Sequence, residues 1–132
     1  MSSSLTSFEP ATGTLLWEGT AGDVEQEVAR ARAGWPRWAA QPIAARIATL
    51  RRFVNVVRAH EDALVDLIAR ETGKPLWDAR GEVAAVMAKV DISVTAYSER
   101  TGQKRLDAAM GARQSVRHTP HGVMAVLATP AQ

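Results

Sequence analysis

The chain has 132 residues, of which 46% are hydrophobic and 23% charged, and it contains no cysteine. A chain of this length can form one globular domain, and its 16 basic and 14 acidic residues are interspersed, which is not the charge pattern of a nucleic-acid-binding protein. The absence of cysteine excludes a disulfide framework and a thiol nucleophile within these residues. No run approaches the roughly 20 apolar residues that span a bilayer. We therefore expect a cytoplasmic protein with no nucleic-acid or membrane partner.

The first predicted element is a short β-hairpin over residues 6–19. Phe8 leads into the turn sequence Pro-Ala-Thr-Gly at residues 10–13, and a short β-prone run follows at residues 14–17. Proline and glycine at these positions are typical of a turn between two strands.

Four helices are predicted over residues 22–102, and the first two are separated by proline. Asp23 is placed as the N-cap of the first helix, and Pro36 predicts that this helix ends near Gly34. Proline suits the first turn of a helix, so the second helix is predicted to open at Pro42. Its apolar stripe has four arginines on the opposite, solvent-facing side: Arg46, Arg51, Arg52 and Arg58.

The third and fourth helices are separated by a glycine and a proline. Gly73 is predicted to end the third helix as a left-handed cap, and Pro75 to start the fourth, which runs to about Arg100. The predicted inward stripe of the fourth helix consists of Ala79, Val83, Val86, Val90, Val94 and Tyr97.

The last part of the chain has the pattern of strands. Residues 115–118 alternate in polarity and predict an exposed strand, whereas the apolar run at residues 122–127 predicts a strand covered on both faces of a parallel sheet. One such strand cannot make a sheet. The predicted fold class is therefore mostly α, with a short β-hairpin and the beginning of an α/β sheet.

Few residues suggest chemistry. His118 and His121 have a spacing that can ligate a metal, but a solvated strand end is the favoured interpretation, and we predict no metal site. Glu71 and Lys74 have the chemistry of an acid and base pair. We favour a helix C-terminus with a lysine near its negative dipole end, and predict no catalytic residue.

Three short motifs nevertheless occur along the chain in an order that is informative about its relatives. They are Pro-Ala-Thr-Gly at residues 10–13, Glu-Thr-Gly-Lys-Pro at residues 71–75 and Pro-His-Gly-Val at residues 120–123. The chain thereby resembles the N-terminal part of the aldehyde dehydrogenase family, with Glu9 where the family motif has asparagine. The resemblance implies an α/β parent fold, of which residues 1–132 are a single incomplete domain. Its parts are a hairpin at 6–19, helices at 22–102, an oligomerisation-type strand at 105–118 and the first core strand of the NAD-binding domain at 122–127.

Within the family, the closest resemblance is to the succinylglutamate semialdehyde dehydrogenases. It rests on residues 16–19, 69–77, 92–102 and 117–123. The resemblance implies a parent enzyme of arginine catabolism that oxidises N-succinyl-L-glutamate 5-semialdehyde to N-succinyl-L-glutamate with NAD. The family's catalytic cysteine and glutamate, its oxyanion asparagine and its cofactor-binding glycine motif would all lie beyond Gln132. Residues 128–132 also depart from the asparagine-containing loop of the family, so we expect an interrupted or fused reading frame.

The resemblance also implies roles for a few residues of this chain. The fourth helix is similar to the family helix that borders the aldehyde tunnel, which makes Val86, Lys89 and Val90 candidates for the tunnel wall, with Lys89 facing a succinyl carboxylate. The alternative is core packing and a solvated lysine. We expect the chain alone to be inactive and to bind no cofactor. Residues 105–118 would associate with a second copy or a full-length homologue, and the competing hypothesis is a non-catalytic helical interaction module.

Overall fold

The computed structural model describes residues 4–102, 104–107, 111 and 113–127. Within these ranges the chain forms four helices and two antiparallel hairpins. The strands and helices are, in chain order, β1 Ser4–Phe8, β2 Leu15–Thr20, α1 Val24–Ala39, α2 Ile43–Ala59, α3 Glu61–Thr72, α4 Leu76–Arg100, β3 Lys104–Asp107 and β4 Arg113–Val116. No helix in this part of the chain has both the length and the apolar character that a membrane crossing requires.

The N-terminal hairpin confirms the prediction from the turn residues. β1 and β2 pair antiparallel, with Ser4 opposite Thr20 and Phe8 opposite Leu15. The backbone N–H of Glu9 donates to the Thr14 carbonyl at 2.9 Å, and Gly13 takes a positive φ of 73°. A glycine adopts this left-handed conformation without the steric cost that a Cβ imposes.

α1 begins as predicted but ends later. The Asp23 carboxylate accepts a hydrogen bond from the Gln26 N–H at 3.1 Å, which is the expected N-cap contact. The predicted end near Gly34 is wrong, because the helix continues through Pro36 to Ala39. Proline removes only its own donor, and the Pro36 carbonyl still accepts from the Ala40 N–H at 3.0 Å.

The junction between α3 and α4 forms as the sequence predicts. Gly73 lies in the left-handed region at φ 72°, and its N–H donates to the Ala69 carbonyl at 2.9 Å. Pro75 is the N-cap of α4, which then runs without interruption to Arg100. The chain therefore turns sharply between two helices that pack against each other.

The core of the described residues is small. It consists of Val57 from α2, Val65 from α3, and Ala79 and Val83 from α4. Packed against these are the half-buried side chains Leu64, Ile68, Ala69 and Met87. The predicted α4 stripe is thus buried only in its first half, since Val83 is 2% exposed but Val86 is 48% exposed. Much apolar surface remains open to solvent.

The C-terminal part differs from the prediction in two ways. Residues 105–118 do not form one strand, because β3 and β4 fold back on each other, with Lys104 opposite Val116 and Asp107 opposite Arg113. Residues 117–127 are neither helix nor strand, so the strand predicted over 122–127 is not formed. A buried parallel strand needs partner strands, and the described residues contain none for it. The departure noted at residues 128–132 lies outside the described residues.

Candidate functional site

Two of the three motifs meet in the structure. The turn at residues 10–13 lies against the α3–α4 junction, where a Cβ on Gly73 would stand 3.7 Å from the Pro10 side chain. Arg70 Nε donates to Glu9 Oε1 at 3.0 Å, and the Trp17 indole N–H donates to the Glu71 carboxylate. Each contact joins the N-terminal hairpin to α3. We call this region the motif junction.

Glu9, which replaces the family's asparagine, is held as a carboxylate. Thr12 Oγ1 donates to Glu9 Oε2 at 2.5 Å, and Arg70 donates to the other oxygen. The hydrogen bond from Thr12, and after it that from Arg70, lowers the pKa of Glu9 below its ordinary value. The departure from the family motif thus supplies an ion pair between the hairpin and α3.

Glu71 and Lys74 have separate partners. The Glu71 carboxylate is bound by Trp17, whereas Lys74 Nζ contacts Glu82 and lies 3.4 Å from Asp78. The hydrogen bond that the Lys74 ammonium donates to Glu82 is the main cause that raises the pKa of Lys74 above its ordinary value. A lysine that holds its proton more firmly is a poor general base. The motif junction is therefore a structural clamp between the hairpin, α3 and α4.

The three tunnel-wall candidates lie along one side of α4. Val86, Lys89 and Val90 are three and four residues apart, which places them on one face of a helix. Val86 and Lys89 are exposed and Val90 is half-buried. Among the described residues, no carboxylate lies within 4.0 Å of the Lys89 amine, although Arg80 on the same helix has an acidic partner in Asp62. Their role in a tunnel stays a prediction.

The third motif borders a cleft that the sequence analysis did not find. A cavity of about 390 Å³ opens between the end of α1, the start of α2, the end of α4 and the irregular segment that contains the motif. Its lining consists of Trp35, Trp38, Arg46, Tyr97, Thr101, His118, Thr119, Pro120, His121, Gly122 and Met124. We call it the arginine cleft, and it adjoins a second, more apolar cavity of about 200 Å³ that shares Trp38, Arg46 and Tyr97.

The prediction that Arg46 lies with the solvent-facing arginines of α2 is wrong. Its side chain is half-buried, and its Nε is buried with no hydrogen-bond partner among the described residues. A signal was present in the sequence, because Arg46 falls between Ile43, Ile47 and Leu50 in the spacing of the apolar stripe. Arginine can take such a position because its long stem packs like an apolar side chain.

His118 and His121 lie together at this cleft but have no acidic neighbour in its lining. Over the described ranges, no group of three or more histidine, cysteine or acidic side chains is arranged to hold a metal. Among the residues that the structure describes, the two histidines therefore share a cavity without a third histidine, cysteine or acidic ligand.

The chain is similar to known proteins over most of its length. A profile of the aldehyde dehydrogenase family matches residues 1–129. The chain is 60% identical over 127 residues to an N-succinylglutamate 5-semialdehyde dehydrogenase of Sphingopyxis alaskensis, covering 96% of this chain and 26% of that protein. It is 57% identical over 123 residues to the protein of the same name from Novosphingobium aromaticivorans, covering 93% of this chain and 26% of that protein.

The fold of the chain is also similar to that of a solved aldehyde dehydrogenase. A crystal structure of an aldehyde dehydrogenase from Brucella melitensis biovar abortus superposes with a TM-score of 0.76 at 21% identity, over 86% of this chain and 24% of that chain. The chain thus spans about a quarter of the length of the curated relatives that it matches.

Proposed function

Because the chain belongs to the aldehyde dehydrogenase family, we propose that it is the N-terminal helical part of an NAD-dependent enzyme that oxidises N-succinyl-L-glutamate 5-semialdehyde to N-succinyl-L-glutamate. The observation that carries the proposal is the 60% identity over 127 residues to a relative with that name. The identity to the Novosphingobium relative, at 57%, supports the same substrate.

We further propose that these residues do not catalyse the oxidation alone. In the family's mechanism a thiolate attacks the aldehyde, hydride passes to nicotinamide, and water hydrolyses the resulting thioester. The chain has no cysteine to supply the thiolate. The purified chain is therefore expected to produce no NADH from NAD and the semialdehyde. Aldehyde-dependent formation of NADH by the chain alone would overturn this part of the proposal.

We propose that the dinucleotide binds outside the described residues. Members of this family use NAD or NADP, which in such α/β domains binds at the carboxyl ends of parallel strands. The two sheets of the described residues are antiparallel hairpins, and residues 122–127 are not in a sheet. We therefore assign no step of hydride transfer to these residues.

Lys89 is the residue of this chain that we propose for substrate recognition. It projects from the exposed half of α4, one turn beyond Val86, while Ala79 and Val83 anchor the first half of the same helix in the core. Its amine has no acidic partner among the described residues, so it is available for a carboxylate of the substrate. Val86 and Val90 would form the apolar wall beside it.

The whole proposal is testable in a hybrid enzyme, in which residues 4–127 of this chain replace the matching stretch of the Sphingopyxis relative. The hybrid supplies the thiol and the cofactor site that this stretch does not contain. Activity of the hybrid on N-succinyl-L-glutamate 5-semialdehyde is the expected result. A hybrid that folds and binds NAD but does not oxidise this aldehyde would refute the assigned substrate.

The β3–β4 hairpin is the proposed contact with a partner chain. In the described residues it is a two-stranded sheet, so each strand keeps one edge without a neighbour. We propose that residues 105–118 pair through such an edge with a second copy or with a full-length homologue. Co-purification of tagged and untagged chains is expected, and its loss in Ser115→Pro but not in Ser115→Thr would locate the contact in β4, because proline cannot donate to a ladder.

An interaction module without an enzymatic role is the second candidate. The open edges of the same hairpin favour it, and it predicts that the chain binds a homologue although the hybrid enzyme is inactive. For either function we propose a cytoplasmic location, which cell fractionation tests.

A further inference from the structure

The arginine cleft contains a charged group with a hydrogen-bond donor for which the described residues supply no acceptor. Arg46 Nε is buried and has no acceptor there. Buried polar groups in proteins are nearly always hydrogen-bonded, because an unpaired one costs about 1–3 kcal/mol, and more when it is charged. A guanidinium in this situation indicates an acceptor that arrives from elsewhere.

The lining of the cleft defines what that acceptor is. No aspartate or glutamate is among its lining residues, so the charge of Arg46 is not neutralised within the cavity. The hydroxyl of Tyr97 and the imidazoles of His118 and His121 offer further hydrogen-bond donors at the same cavity. These groups together fit an anion, and the planar fork of a guanidinium matches the two oxygens of a carboxylate.

The walls of the cleft fit an apolar body. Trp35, Trp38, Tyr97 and Met124 line it, and the adjoining cavity behind Trp38 and Arg46 is mostly aliphatic. A volume of about 390 Å³ lies within the range of small-molecule sites. A ligand that places a carboxylate on Arg46 would thus lay its carbon skeleton against aromatic rings.

We propose that the arginine cleft is a binding site for a carboxylate attached to a compact apolar body, with Arg46 as its anchor. The carboxylate belongs either to a free small molecule or to a side chain in the remaining length of a longer polypeptide. The proposal does not rest on the proposed enzymatic function, and no thiol or dinucleotide is needed to test it.

The experiment follows the indole N–H signals of the chain by NMR during titration with benzoate. Trp35 and Trp38 line the cleft and serve as reporters, while Trp17, bound to Glu71, and the exposed Trp77 serve as internal controls. Benzamide has nearly the same shape as benzoate without its charge, and acetate has the charge without the ring.

The expected result is saturable movement of the Trp35 and Trp38 signals with benzoate, and at least tenfold weaker binding of both benzamide and acetate. Arg46→Gln should weaken benzoate binding about tenfold or more, which corresponds to about 1.4 kcal/mol. Arg52→Gln is the matched control, because Arg52 lies on the same helix and donates to Thr49. Its affinity for benzoate should be unchanged.

Several results would overturn the proposal. They are equal binding of benzoate and benzamide, unchanged affinity in Arg46→Gln, or no movement of the two reporter signals at any benzoate concentration. The source of the carboxylate is distinguished in the hybrid enzyme. Benzoate binding that persists there identifies a free carboxylate as the ligand. Loss of binding, together with a greater destabilisation by Arg46→Gln than by Arg52→Gln, identifies a carboxylate of the protein itself.

Discussion

Two valines on α4 differ in burial and therefore provide a sharp test of the small core. Val83 is 2% exposed and packs with Val57, Val65 and Ala79, whereas Val86, less than one turn further along, is 48% exposed. The same substitution to alanine at the two positions removes the same atoms. Any difference in the free energy of unfolding therefore reports the packing around each side chain.

The magnitude follows from the burial. Val83→Ala removes two methyl-sized groups from the core, a loss of about 1.6 kcal/mol at about 0.8 kcal/mol each. The cavity left behind adds to this loss, and the better helix propensity of alanine returns about 0.5 kcal/mol. We expect a net destabilisation of about 2 kcal/mol for Val83→Ala. For Val86→Ala we expect a change within about 0.5 kcal/mol.

Urea unfolding of the purified chain, followed by circular dichroism, measures both variants. With a slope of about 1–2 kcal/mol per molar urea, Val83→Ala should lower the midpoint by about 1–2 M. Loss of the cooperative transition in Val83→Ala alone would agree with the same reasoning, because the core has few other members. Equal midpoints for the two variants, or a larger loss in Val86→Ala, would refute the burial on which the reasoning depends.

The remaining predictions concern the motif junction and the proposed substrate contact. Gly73→Ala should destabilise the chain by about 1 kcal/mol, because φ is 72° there, whereas Gly81→Ala inside α4 should stabilise it by up to about 1 kcal/mol; a stabilised Gly73→Ala would contradict the left-handed cap. The pKa of Glu9 is lowered in the folded chain, so its contribution to stability is present above the ordinary value of 4.5 and is lost as the pH falls through the lower folded value. The urea midpoints of the wild type and Glu9→Gln should therefore differ near neutral pH and converge in acid, and a constant difference would contradict the ion pair. In the hybrid enzyme, Lys89→Met should raise KM for the succinylated semialdehyde about fivefold to tenfold and leave KM for an uncharged aldehyde unchanged. An equal rise in KM for both aldehydes would contradict the proposed contact between Lys89 and the carboxylate.

The elements that the sequence predicted best are those with local causes. The N-cap at Asp23, the glycine cap at Gly73 and the turn at Gly13 each depend on a few neighbouring residues, and all three form as expected. The end of α1 was predicted wrongly from Pro36. A proline ends a helix only when its missing donor and its ring cannot be accommodated, and neighbouring residues do not determine this. Contacts over long distances in sequence, such as Arg70 with Glu9, had no local signal at all.

The burial of Arg46 in the arginine cleft was not predicted from the sequence. Arg46 has the spacing of the apolar stripe of α2, but its charge suggested an exposed position. Only the packing of α1, α4 and the third motif around it made the side chain half-buried. The strand predicted at residues 122–127 failed for the opposite reason. Its apolar run is typical of a buried strand, yet a strand depends on partners that the described residues do not contain.

We propose that these residues are the N-terminal part of a semialdehyde dehydrogenase and do not catalyse alone. The most direct measurement is kcat/KM of the hybrid enzyme for N-succinyl-L-glutamate 5-semialdehyde, beside that of the unaltered Sphingopyxis enzyme and of the chain alone. We predict a hybrid value within about tenfold of the unaltered enzyme and no NADH from the chain alone. A folded hybrid that binds NAD but leaves this aldehyde unoxidised would contradict the proposed function.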